Sequence, residues 1–130
     1  MSFLGGITVV VDDYDAAISY FTNSLGFDLI EDTDMGNGKR WVVIAPDRER
    51  GAHILLAHAV NGDQEASIGN QTGGRVSFFL YTDDFDRDYS RMLSAEVNFI
   101  EFPRDEEYGK VIVFKDLYGN KWDFIERKVK

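Results

Sequence analysis

The chain repeats itself, and the repeat limits what it can fold into. Asp83-Asp84-Phe85-Asp86 reproduces Asp12-Asp13-Tyr14-Asp15, one aromatic exchanged for another, at an offset of 83 − 12 = 71. Phe99-Ile100-Glu101 echoes Leu29-Ile30-Glu31 at an offset of 99 − 29 = 70. A duplicated unit of this length is one supersecondary module, and neither copy alone covers its own apolar surface.

The first copy reads strand, helix and three strands. Ile7 to Val11 is β-branched and apolar, as a buried strand requires. Asp12 or Asp13 can cap a helix that carries Tyr14, Ala17, Ile18, Phe21 and Leu25 on one face, with Gly26 at the C′ position. Strands are expected over Phe27–Thr33, Arg40–Ala45 and Ala52–Ala59, with Gly36-Asn37-Gly38 making a hairpin. Val60 to Gly73 shows no period and reads as a connecting loop.

The second copy starts with a strand over Arg75–Tyr81, followed by a helix presenting Phe85, Tyr89, Met92 and Leu93. This helix has no terminal glycine, so Asn98 is the expected left-handed cap. The copy ends in a hairpin, Val111–Phe114 and Trp122–Glu126, joined by the turn chemistry of Asp116 to Asn120. In the last strand Trp122 and Phe124 point to one face, Asp123 and Ile125 to the other. An acid in the middle of an apolar strand must line a wet cavity or mark an edge. The organisation expected is one α+β domain over 1–130, with module one about 1–60, a linker about 61–73 and module two about 74–130. Setting the two sheets side by side forms a half-barrel around a cavity, with Asp123 facing it.

Composition removes several functions. A net charge of −9 repels phosphate backbones, which argues against nucleic acid as a partner. Without cysteine there are no disulfides, thiolate zinc sites or cysteine nucleophiles, as suits a reducing cytoplasm. No stretch approaches membrane-spanning length, and MSFLGG has neither the basic region nor the apolar run of a signal peptide. The expected location is the cytoplasm.

In VVVDDYDAAISYFTNSLGFDLIED, TDDFDRDYSRM and FKDLYGNKWDFIE the chain resembles the vicinal oxygen chelate superfamily. That superfamily includes glyoxalase I, bleomycin-resistance proteins and extradiol dioxygenases, and the likeness covers essentially the whole chain. The last segment follows a familiar ending, F-x-D-P-x-G-N-x-[WI]-[DE]-[FL], with Leu117 in place of the common proline. The resemblance implies paired βαβββ modules and a homodimer. It also places the four metal-ligand positions of metal-dependent members at Gly6, Leu55, Ser77 and Asp123. The first three usually carry His or Glu, and here only Asp123 is of a type that could bind a metal strongly. One carboxylate does not hold a catalytic ion, which argues against the usual glyoxalase or dioxygenase mechanism and against a metal cofactor.

His53 and His58 are the only histidines and face opposite sides of one strand. His53 shares the face of Leu55, so with Asp123 it could make a weak two-ligand site; a strand-end histidine paired with an acid is the simpler reading. Asp123 could serve as a general base, or merely accept hydrogen bonds from Ser77 or a tyrosine. Trp41, Phe79, Tyr81, Tyr108 and Trp122 are by type more often core than ligand platform. Tyr108 sits in a loop, PRDEEYG, able to close over a cavity mouth, and its acids Asp105 to Glu107 read as a solvated tip. Arg75 could anchor an anion, though a surface salt bridge is its simplest use. The expected ligand-binding set is Gly6, His53, Leu55, Ser77, Phe79, Tyr108 and Asp123. The expected function is metal-free binding of a small molecule, a cation being one candidate, in the inter-module cavity. The alternative is a divergent lyase or isomerase, using a metal or Asp123.

Overall fold

A computed structural model describes residues 1–128; the last two residues of the expected second module, 129 and 130, lie outside them. The chain divides into two compact units, Met1–Ile68 and Gly69–Lys130.

In the first unit β1 (Gly6–Val11) leads into α1 (Tyr14–Ser19), followed by β2 (Asp28–Gly36), β3 (Lys39–Ala45) and β4 (His53–His58). The sheet order is β1-β4-β3-β2, with β1 parallel to β4 and the other pairs antiparallel. The carboxylate of Asp13 caps α1 by accepting from the Ala16 amide. Tyr14, Ala17, Phe21 and Leu25 are buried, and so are Val9, Val11, Val42, Ile44, Ile54 and Leu56 on the sheet face they share. After Ser19 the helix widens into a π turn, Tyr20–Ser24, where the Leu25 amide donates to the Tyr20 carbonyl. The Thr22 hydroxyl donates to the Ile18 carbonyl, the acceptor its own amide would take in an α-helix (2.7 Å). Gly26 has φ 74°, as its C′ position requires, and the two-residue hairpin Asn37-Gly38 takes positive φ at both residues.

The 61–73 stretch is not a structureless loop. Asn61 caps a short helix, α2 (Gly62–Ser67), by accepting from the Gln64 amide, while the Gln64 side chain accepts from the Val60 amide (both 2.9 Å). The helix is marked by this reciprocal cap and by no apolar period, because none of its residues is buried.

In the second unit β5 (Val76–Tyr81) is followed by α3 (Phe85–Ser94), β6 (Asn98–Phe99), β7 (Arg104–Glu106), β8 (Gly109–Lys115) and β9 (Lys121–Arg127). The order is β5-β9-β8-β6, β7 also pairs with β8, and β5 is parallel to β9. Trp122 and Phe124 pack on the helix side: Phe124 meets Phe85 of α3 (ring centroids 5.3 Å), and Trp122 stacks on Phe114 (5.6 Å). Leu93 departs from expectation and lies on the exposed side of α3, where its neighbour Met92 is buried. The helix closes at Glu96, not Asn98. Glu96 takes φ 61°, its amide donates to Leu93 and that of Val97 to Met92, with Val97 and Met92 both buried. That is a Schellman closure, whose apolar clasp offsets a non-glycine residue in the left-handed region. PRDEEYG is likewise no free loop: Arg104–Glu106 pairs with β8, Glu106 binds Arg104 (3.2 Å), and Asp105 binds Lys128 (3.4 Å).

Candidate functional site

In the first unit the face opposite α1 is open. The register sets Gly6 opposite His53 and Thr8 opposite Leu55, with Val43 beside Leu55. A concavity of about 380 Å³ lies here, and its lining includes Gly6, Thr8, Trp41, Val43, His53 and Leu55. Trp41 and Val43 alternate with the buried Val42 and Ile44, so the strand period sends the tryptophan outward, and it is 39% exposed. His53 sits on this face and contacts the Arg48 carbonyl through Nε2 (3.2 Å), not an acid; His58 is on the helix side, its ring 5.7 Å from that of Tyr14.

The second unit also has an open face, on which β9 sets Asp123 between Phe79 of β5 and Val113 of β8. Asp123 is half-buried and accepts no hydrogen bond from any described residue, contrary to the expectation of Ser77 or a tyrosine. Ser77 occupies a bulge between Val76 and Phe78, and its hydroxyl meets that of Thr72 (3.2 Å). Because the Thr72 hydroxyl donates to the Arg75 carbonyl (2.8 Å), Ser77 is the donor of that contact. Burial raises the Asp123 carboxyl above the usual carboxylate range; Arg104 pulls it down and Glu101 pushes it up. Glu101 accepts from Arg104 Nε with both oxygens (3.1 and 3.2 Å) and from the Val113 amide (3.0 Å). Tyr108 is half exposed, and its hydroxyl reaches Arg104. Arg75 makes no ion pair with a described residue, so its expected surface salt bridge is absent.

Gly6, His53 and Leu55 are thus brought together in one unit, and Phe79 and Asp123 in the other; Ser77 is turned to Thr72. Trp41, Thr8 and Val43 were not expected in a site, although the alternation of RWVVIA carried the signal. Glu101 and Arg104 were also missed, because their partnership depends on β7 folding back onto β8. Among the described residues no three His, Cys, Asp or Glu are grouped to hold a metal ion. The residues at the four ligand positions do not fit a divalent ion, since glycine and leucine offer it no side-chain donor and serine only a neutral hydroxyl. No helix among them is long and apolar enough to cross a membrane.

The family model of the Glyoxalase/Bleomycin resistance protein/Dioxygenase superfamily matches residues 4–124. A protein of Shewanella frigidimarina (strain NCIMB 400) is 51% identical over 121 residues, covering 92% of this chain and 90% of its own. YetH of Bacillus subtilis (strain 168) is 26% identical over 117 residues, 90% of this chain and 92% of its own. Among solved structures, UcmS2 superposes with a TM-score of 0.82 at 24% identity, covering 96% of this chain and 98% of its own. TnmS3, an antibiotic binding protein from Streptomyces sp. CB03234, gives 0.78 at 24% identity and 98% of each chain. These structural likenesses establish the fold, and the family match rests on nearly the full length of two βαβββ modules: the chain belongs to the Glyoxalase/Bleomycin resistance protein/Dioxygenase superfamily.

Proposed function

We propose that this chain binds a small molecule against its open sheet faces and does so without the divalent ion of the metal-dependent members of its superfamily. The observation that carries the reading is the first unit's concavity of about 380 Å³, where glycine and leucine stand at family ligand positions beside an outward-turned Trp41. An apolar lining with a few polar groups (Thr8 and His53 here) is the usual composition of a small-molecule site. TnmS3, which shares the fold, is an antibiotic binding protein. A cytoplasmic homodimer that binds neither nucleic acid nor membranes completes the proposal; light scattering checks its mass.

A thermal-shift screen of small molecules and divalent ions tests it. A ligand at about 100 times its Kd stabilises the native state by about 2.7 kcal/mol. Gly6 lacks a left-handed φ, and a Cβ there meets the His53 carbonyl oxygen at an ordinary 3.5 Å. Gly6→Val should therefore fold, intrude on the concavity and abolish the shift; a shift left intact refutes the site. A stoichiometric divalent ion surviving dialysis would overturn the metal-free reading. The second reading is a divergent lyase or isomerase, and it is favoured by Asp123, an unpartnered carboxyl of raised proton affinity. Turnover that Asp123→Asn abolishes, while ligand still binds, would establish it.

A further inference from the structure

We propose that Asp123 receives the protonated amine of a ligand whose apolar body lies along Phe79. The inference rests on the ligand-binding reading above and narrows it, for the second unit's face, to cations. Asp123 sits mid-strand in β9, its neighbours across the sheet Val113 and Phe79. Val113 is 9% exposed and Phe79 is 57% exposed, so the carboxylate has a dry wall on one side and a bare aromatic on the other.

Every other acid acting on this face is satisfied. Glu101 takes the Arg104 guanidinium and the Val113 amide, and Glu106 takes Arg104 as well. Arg104 is thereby committed twice. Lys121, two residues before Asp123 on the same face, turns to the Gly74 carbonyl (3.3 Å). At the other end Arg127 lies over the Tyr81 ring, 4.5 Å from its centroid. Arg104 acts on Asp123 only through space, no described cation makes an ion pair with it, and three carboxylates stand against one guanidinium. A half-desolvated carboxylate with open lone pairs is stabilised by a charged N–H donor, and an aromatic face beside it adds cation–π attraction. The same local charge disfavours a carboxylate or phosphate ligand.

The test compares 2-(2-naphthyl)ethylamine with the neutral alcohol of the same shape, by titration calorimetry at low salt. Wild type should bind the amine about tenfold or more tighter than the alcohol, as a charge-assisted bond at a partly buried site supplies. Asp123→Asn, its fold checked by circular dichroism, should reduce that preference to near unity. Phe79→Leu should weaken both probes, the amine more. Equal binding of the two by wild type, or a preference surviving in Asp123→Asn, overturns the charge assignment and leaves small-molecule binding standing. Binding of neither probe removes the binding reading for this face as well.

Discussion

Replacing Asp116 with alanine strips one acceptor from five donors. In the β8–β9 turn its Oδ1 accepts from the amides of Tyr118, Gly119 and Asn120 at 3.0 to 3.1 Å. Its Oδ2 accepts from Asn120 Nδ2 (3.3 Å) and from Trp122 Nε1 (3.0 Å). Water can replace the carboxylate for Tyr118 and Gly119, which are half-exposed. It cannot easily reach Asn120 or Trp122, each 2% exposed, so three buried donors (the Asn120 amide, Asn120 Nδ2 and Trp122 Nε1) lose this acceptor. At about 1–3 kcal/mol for each of the three the loss is about 6 kcal/mol, a large share of the roughly 5–15 kcal/mol that holds a domain together. For a chain of this size Tm should fall by about 18 °C. Urea unfolding followed by circular dichroism should show a lower midpoint with an unchanged slope. Adding Trp122→Phe removes one of those three donors, so the double variant should lose less than the sum of the singles. A loss below about 1 kcal/mol, or strict additivity, would refute the reasoning. The turn matters to function because it fixes the register that sends Trp122 inward and Asp123 outward.

Two further outcomes follow from the same geometry. Asp123 holds its proton more tightly folded than unfolded, so its ionised form is a cost to the native state above the folded pKa, and that cost fades as pH falls through it toward the usual 3.8. Asp123→Asn should therefore melt higher than wild type at pH 7 and lose that advantage toward pH 4; a variant less stable at pH 7 would contradict the assignment. Gly69 has φ +71°, and a Cβ there would run into the Tyr118 carbonyl, whereas Gly6 has room. Gly69→Ala should cost at least about 2 kcal/mol and Gly6→Ala under about 0.5 kcal/mol in chemical denaturation; equal costs would count against this account.

What could be read from the residues was local or periodic. The 71-residue offset announced two copies, Asp13 and Gly26 marked the helix ends, and the alternation of KWDFIER gave the two faces of β9. What failed was tertiary in origin. Leu93 fits an apolar stripe as well as Met92 does, but only the position of the sheet decides which is buried. Glu96 outcompeted Asn98 for the left-handed cap because Val97 needed to reach Met92. Helix α2 has no buried face, so it left no period to detect.

The same division holds for the site. From the sequence, side-chain type singled out Asp123 as the one strong ligand among the four positions that the family resemblance implies, because residue type is read directly once the positions are given. Only the folded chain decided that Arg104 is bound by Glu101 and Glu106, that Ser77 turns to Thr72, and that Asp123 is left without a donor. Those outcomes depend on which strands pair and where a bulge falls, and such contacts join residues that no local pattern relates.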